Sequence, residues 1–350
     1  MVYISFDKKR NVNLKGNIEY MKVSVIGDGA WGTALALNML ANGHKVQIWG
    51  AFPDYLEEMR SRRENFKFLP SVKLPEELEL CSSLEEAAAG QDMLLLATPT
   101  QFLRGVLKKL APAFDKSIPL INVAKGIEIN SWKRISEIVS DELGSVDFVD
   151  LSGPSHAEEV SRRVPTAVVA AAENTESAQA VQKLMMNENF RVYTSNDVVG
   201  VELGGALKNV MAIAAGIIDG MKLGDNPKAA MMTRGIFEMG RLGEALGGQR
   251  STFAGLSGIG DLIVTCCSGH SRNRHVGEEL GRGRSMAEIQ NEMGMVVAEG
   301  VPTAKGAKAL AQKLNVSTPI IDEIYRIIYE NRSVKEAISA LMNRDAKPEE

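Results

Sequence analysis

The sequence predicts an α/β protein: a doubly wound sheet domain followed by a domain of helices alone. Three observations carry that expectation. Short β-branched runs alternate with helix-like stretches up to about residue 200, the pattern of a parallel sheet with helical crossovers. From Val198 to Met342 long helical patterns take over. The first strand-like run ends in Gly27-Asp28-Gly29-Ala30-Trp31-Gly32, a GxGxxG spacing at a strand-to-helix junction.

Taken in order, KVSVIG (22–27) reads as a buried strand bounded by glycine, and AWGTALALNMLAN (30–42) as the helix after it, closed by Gly43. KVQIW (45–49) is the next strand. A charged stretch with Pro70 and Pro75 reads as irregular. MLLLAT (93–98), PLINVA (119–124), DFVDLS (147–152) and TAVVAA (166–171) continue the strands, with a helix over 131–143 among the crossovers. Segments 226–246, 286–293, 302–314 and 318–330 suit helices. The expected division is an N-terminal extension (1–20), a dinucleotide-binding domain (21–203), a helical substrate-binding domain (204–343) and a charged tail (344–350).

The 350 residues are 45% hydrophobic and 24% charged, enough for two globular domains with real cores. The net charge of −4 gives no electrostatic case for nucleic acid. Three cysteines, Cys81, Cys266 and Cys267, form no CxxC and no disulfide scaffold, which points to a reducing cytoplasm. The N-terminus lacks the apolar core of a signal peptide. The four histidines, His44, His156, His270 and His275, have no zinc spacing, so no metal is expected.

The glycine spacing permits a tight turn, close approach of backbone to a pyrophosphate and close helix–sheet packing, with the helix N-terminus offering free N–H groups. Gly27, Gly29 and Gly32 are therefore candidate cofactor residues of a Rossmann-type domain. The second strand should end in a residue that reads the adenosine ribose, an acid for NAD or a base for NADP. Here Gly50, Ala51 and Phe52 follow it, with Asp54, Arg60, Arg62 and Arg63 nearby. The choice between NAD and NADP stays open.

GGALKNVMAIAAGIIDG (204–220) holds a single lysine, Lys208, in an otherwise apolar run. Burying its ammonium is costly. The lysine either snorkels to water, pairs with a buried carboxylate, or works as a proton carrier whose pKa desolvation has lowered. The run is too short, and its charge too central, for a membrane span.

Several longer motifs make the sequence resemble the bacterial NAD(P)-dependent glycerol-3-phosphate dehydrogenases over residues 21–335. They are VIGDGAWGTALAL (25–37), NVAKGIE (122–128), SGPSHAEEV with PTAVVAA (152–171), ELGGALKNVMAIAAGIIDG (202–220), TFAGLSGIGDLIVTCCSGHSRNRHVG (252–277) and VVAEGVPTAKG (296–306). The resemblance implies NAD(P)H-dependent reduction of dihydroxyacetone phosphate to sn-glycerol 3-phosphate, a phospholipid precursor. It assigns Lys208 as the proton donor and acceptor. Lys125 is implied to touch cofactor and substrate, and Gly153, Ser155, Asp261, Ser271, Arg272 and Asn273 the substrate. Ala157, Val297, Glu299 and again Arg272 are implied on the cofactor, with Trp31 at the aromatic cofactor position. Two positions depart from the family pattern: Ala51 stands where Arg or His is usual, and Ala30 where Ser is frequent. The expected partners are a phosphorylated small molecule and, through the helical domain, a second copy in a homodimer.

The chemistry accounts for these residue types. Reducing a ketone puts charge on its oxygen, which a nearby ammonium can neutralise and protonate. Asp261 can orient Lys208, bond a substrate hydroxyl, or simply cap a helix. Lys125 follows a strand end, where α/β sheets bind ligands, or is an ordinary loop lysine. In SGHSRNRHVGEEL, Ser271 or Asn273 can cap a helix whose N–H groups and Arg272 converge on a phosphate, or the cap serves no ligand.

Overall fold

A computed structural model describes residues 20–294, 297–346 and 348–349; the expected extension lies almost wholly outside them. The first half alternates strands and helices. These are β1 (Lys22–Ile26), α1 (Ala30–Ala41), β2 (Lys45–Trp49), α2 (Pro53–Arg62), β3 (Glu79–Cys81), α3 (Leu84–Ala88), β4 (Met93–Leu96), α4 (Thr100–Leu110), β5 (Leu120–Asn122), α5 (Ile135–Leu143), β6 (Phe148–Ser152), α6 (Ala157–Val160), β7 (Thr166–Ala171), α7 (Thr175–Met185) and β8 (Phe190–Ser195). The second half is helical: α8 (Val198–Gly220), α9 (Asp225–Ala245), α10 (Asp261–Cys267), α11 (Arg272–Gly281), α12 (Met286–Met293), α13 (Gly300–Lys313), α14 (Pro319–Tyr329) and α15 (Val334–Met342).

The strands form one sheet in the order β3-β2-β1-β4-β5-β6-β7-β8. The order reverses between β1 and β4, which opens the crevice where such sheets bind ligands. β4, MLLL, is buried along its whole length because helices cover both faces. Gly27 has φ +133, and a Cβ there would lie 2.7 Å from the Ala97 carbonyl carbon. Gly32 packs as closely, its Cβ position 2.6 Å from the Gly27 oxygen. Only glycine lets α1 sit this tightly on the switch point.

The sheet is not wholly parallel, as the alternation had implied: β7 runs antiparallel to β6, from Asp150–Ala171 to Ser152–Val169. The small α6 turns the chain back without a full crossover. Two strands and the helices α2 and α3 also join the expected set. β8 alternates buried and exposed residues at the sheet edge. β3 is only three residues long. α2 falls in the stretch read as irregular; Pro53 starts it, and Tyr55, Leu56 and Met59 form its buried face. The helix expected from 131 begins at Ile135, because Trp132 is left-handed (φ 58) and Arg134 is the N-cap.

The helical half starts at Val198, so the 203/204 position falls inside α8 rather than between domains. α8 is long and apolar enough to cross a membrane, but its apolar stretch is buried within the protein, where it forms the axis of this half. Against it α11 packs backbone to backbone. A Cβ on Gly216 would sit 1.9 Å from the Arg274 oxygen, and one on Gly277 1.9 Å from the Ile213 oxygen.

Candidate active site

The carboxyl ends of β5 and β6 face α8, and the chemistry-bearing residues gather there. Lys125 leaves β5 on a segment that α4 holds in place. Gln101 donates to the Ile127 carbonyl (2.9 Å), and Arg104 forks onto Glu128 (2.8 and 2.9 Å). Lys208 projects from the first half of α8. Asp261 opens α10, directly after a π-helical turn at Leu256–Gly260. Such turns recur at functional sites because they redirect the next side chain.

These three residues meet. Lys208 Nζ donates to Asp261 Oδ1 at 2.9 Å and to Thr265 Oγ1 at 2.7 Å. Lys125 Nζ donates to Asp261 Oδ2 at 2.6 Å and to the Gly153 carbonyl at 3.2 Å. Asp261 therefore pairs with both lysines, and the helix-cap alternative fails because its side chain caps nothing. Of the alternatives for Lys208, snorkelling is excluded, since the residue is only 8% exposed.

One carboxylate cannot neutralise two ammoniums. Burial pulls Lys208 down to about 8, and Lys125 adds to the depression while Asp261 opposes it. Burial alone would raise Asp261, but the two lysines outweigh it and hold its carboxyl below the usual range. Lys208 is thus poised to exchange a proton near neutral pH. Neighbouring Cys266 is not a rival acid or base, because burial pushes its thiol up to about 12.

Around this cluster runs a chain of amides. Asn209 donates to the Lys125 carbonyl (3.4 Å), Asn273 donates to Asn209 Oδ1 (2.9 Å), and the Gly300 N–H donates to Asn273 Oδ1 (2.8 Å). Asn273 thereby fixes the loop that carries Val297 and Glu299. Ser271 caps α11 by accepting from the Arg274 N–H at 3.2 Å. Arg272 points out of that cap without a hydrogen-bond or ion-pair partner among the described residues. It reaches solvent, yet surrounding protein lowers its pKa while Glu299 and Glu158 oppose. Ser155 donates to the Gly153 carbonyl (2.8 Å), and Ala157 begins α6 beside it. Gly153 itself is obligatory: φ is +144 and a Cβ would meet the Val168 Cα at 2.9 Å.

The residues present fit a dinucleotide. Trp31 Nε1, Asp28 Oδ2, Thr100 Oγ1 and Glu299 Oε2 are buried and lack a partner among the described residues. Buried polar atoms are normally satisfied, so orphans clustered at one crevice mark a ligand's place. A Cβ on Gly29 would meet nothing within 4 Å, and no side chain caps α1, leaving its N-terminus open. Glu299 Oε1 accepts the Thr100 N–H at 2.9 Å, and burial raises this carboxyl to about 7. A cavity of about 1320 Å³ lies at the opposite end of the strands, lined by Lys22, Gly43, Lys45 and Asn189 among others, and touches none of these groups.

Thr265, Asn209 and Thr100 belong to the site without having been singled out from sequence. Thr265 lies one helical turn after Asp261, and Asn209 directly follows Lys208, so spacing could have pointed to them. Nothing in the sequence marks Thr100.

Fold and site together fit a dinucleotide-dependent oxidoreductase with two lysines and an aspartate gathered beside the sheet's ligand crevice. Comparison with known proteins gives the family. A model described as the NAD-dependent glycerol-3-phosphate dehydrogenase N-terminus matches residues 22–178, and one for the C-terminus matches 197–339. The chain belongs to the NAD-dependent glycerol-3-phosphate dehydrogenase family. A glycerol-3-phosphate dehydrogenase [NAD(P)+] of Bacillus cereus is 50% identical over 331 residues, covering 94% of this chain and 97% of that protein. The solved enzyme of Coxiella burnetii superposes with a TM-score of 0.90 at 37% identity, covering 93% of this chain and 99% of the other. That of Saccharomyces cerevisiae gives 0.77 at 26% identity, over 92% and 99%.

Proposed function

We propose that the chain interconverts dihydroxyacetone phosphate and sn-glycerol 3-phosphate, with Lys208 carrying the proton. The observation behind this is the Lys125–Asp261–Lys208 cluster, assembled from residues 136 and 53 positions apart. A nicotinamide held in the crevice would supply the hydride for the carbonyl carbon. Lys208 gives its proton to the carbonyl oxygen as that oxygen gains charge, and recovers one from solvent afterwards. In reverse, neutral Lys208 takes the alcohol proton. Lys125 holds a second positive charge beside the same oxygen, and Asp261 fixes both lysines. Arg272, at the capped start of α11 and without a hydrogen-bond or ion-pair partner among the described residues, suits the phosphate. Cys81, Cys266 and Cys267 are all free thiols, which supports a reducing cytoplasm as the setting.

The test follows NADH and NADPH oxidation spectrophotometrically with dihydroxyacetone phosphate and with unphosphorylated dihydroxyacetone. Only the phosphorylated ketone should turn over efficiently, and Arg272→Ala should raise its KM about 10- to 100-fold, as loss of a charge-assisted contact does. Equal losses for both ketones would remove Arg272 from phosphate binding. No turnover of either would refute the proposed reaction.

A further inference from the structure

We propose that Asp28 makes this chain select the unphosphorylated dinucleotide, NAD(H), over NADP(H). The proposal deepens the cofactor reading above and rests on it. In sheets of this kind an acid at the end of the second strand accepts from the adenosine ribose hydroxyls. Here β2 ends at Trp49, and Gly50 and Ala51 offer neither acid nor base. The structure puts a carboxylate there from a different element. A Cβ on Gly50 would lie 2.7 Å from Asp28 Oδ2 and 3.0 Å from its Cγ. Glycine at position 50 is what leaves room for the side chain of the glycine loop's own aspartate.

That aspartate is held in place. Asn65, 0% exposed, donates Nδ2 to the Asp28 carbonyl and to Thr33 Oγ1, both at 2.8 Å. Tyr55 in turn donates to Asn65 Oδ1 at 2.5 Å. Asp28 Oδ2 is buried and accepts no hydrogen bond among the described residues. A buried carboxylate oxygen without a donor is costly, and the vicinal hydroxyls of a ribose are donors. A 2′-phosphate replaces one hydroxyl with negative charge and sets it against the carboxylate.

The neighbouring cations do not offset this. Arg60 is paired with Glu57. Arg62 lies 4.1 Å over the Phe66 ring and 3.6 Å from Glu58. Arg63 donates to the Leu74 and Leu78 carbonyls, both at 3.3 Å. Lys67 remains, 4.4 Å over the Tyr55 ring, and its charge is the one that acts on Asp28. One ammonium shared with a carboxylate is a poor substitute for the arginine fork that a phosphate dianion favours.

Isothermal titration of the full chain with NADH and with NADPH tests this directly, apart from any turnover. The wild-type Kd for NADH should be at least about tenfold below that for NADPH, and Asp28→Ala should bring the two within about threefold. Asp28→Asn, nearly isosteric, keeps an acceptor but loses the charge, so it should tighten NADPH more than it weakens NADH. Wild-type NADPH binding as tight as NADH, or an unchanged ratio in both variants, would overturn the proposal and leave the cofactor site standing. Binding of neither dinucleotide would overturn both.

Discussion

Replacing Lys208 by methionine should stop catalysis and, at neutral pH, make the protein more stable. Lys208 is 8% exposed, and its pKa falls from 10.5 to about 8. That difference of about 2.5 units, at 1.36 kcal/mol each, means the native fold disfavours the charged lysine by roughly 3 kcal/mol. The sign follows from proton counts. Between pH 8 and 10.5 the unfolded chain holds this proton and the folded one does not, so stability rises with pH across that window. Below about pH 8 the penalty is present in full.

Methionine fills the same apolar wall without the charge. Asp261 is not stranded, because Lys125 stays bonded to it at 2.6 Å. Loss of the Lys208 hydrogen bonds to Asp261 and Thr265 offsets part of the gain, at about 1 kcal/mol each for ordinary bonds. The net is a gain on the order of 1 kcal/mol at pH 7, or about 2–4 °C in Tm for domains of this size. Thermal melts at pH 7 and pH 10, with dinucleotide titration as a folding control, read this out. The advantage should vanish by pH 10, where wild type has shed its proton, while turnover falls by about 10²–10⁴ at every pH. A variant less stable than wild type by the same margin at both pH values would show that Lys208 is a stabilising ion-pair partner. Near-normal turnover would end its role as proton carrier.

Two further predictions concern the frame. Gly216→Ala puts a methyl 1.9 Å from the Arg274 oxygen, so α11 must move off α8. We expect a loss of about 1–3 kcal/mol in melts, typical of overpacking, and a raised KM for the phosphorylated ketone because α11 carries Arg272; an unchanged Tm would contradict the contact. Glu238 accepts the N–H groups of Ile320 (3.0 Å) and Ile321 (2.8 Å), capping α14 from α9 where Thr318 does not. Glu238→Ala should cost about 1–2 kcal/mol. Burial raises this carboxyl from 4.5 to about 7, so the folded chain holds its proton longer and wild-type stability declines from pH 4.5 to 7. Melts across that range should show the decline weakened in the variant, and an identical slope would argue against it.

Much of this arrangement was legible in the sequence because it is written locally. β1, the glycine loop and α1 are contiguous, and each residue agrees with its neighbours on strand, turn and helix. Lys208 stood out because a charge inside an apolar run needs a reason. β7's reversal was not legible, since TAVVAA reads the same in a parallel or an antiparallel pair and only the short α6 decides. α2 was hidden because its buried face is just Tyr55, Leu56 and Met59 among charges. The end of β2 was read as lacking an acid because the search followed the chain. The carboxylate that lies there comes from Asp28, 22 residues before Gly50, and only the packing of β1 against β2 brings it across.

The same limit explains why Asp261 was ambiguous. In sequence it is an aspartate after glycines at a helix start, which is where caps occur. Its meaning depends on Lys125 from the sheet and Lys208 from α8 reaching its two oxygens at 2.6 and 2.9 Å. Each half of the molecule contributes an ammonium, and the helical half contributes the single carboxylate between them. Burial is the first cause of Lys208's lowered pKa and the second ammonium deepens it, so the full depression is a property of the joined halves. A sheet domain alone would hold Lys125 in a loop near solvent. A helical domain alone would hold Lys208 and Asp261 as a balanced pair, without the second ammonium that helps push the lysine's proton off.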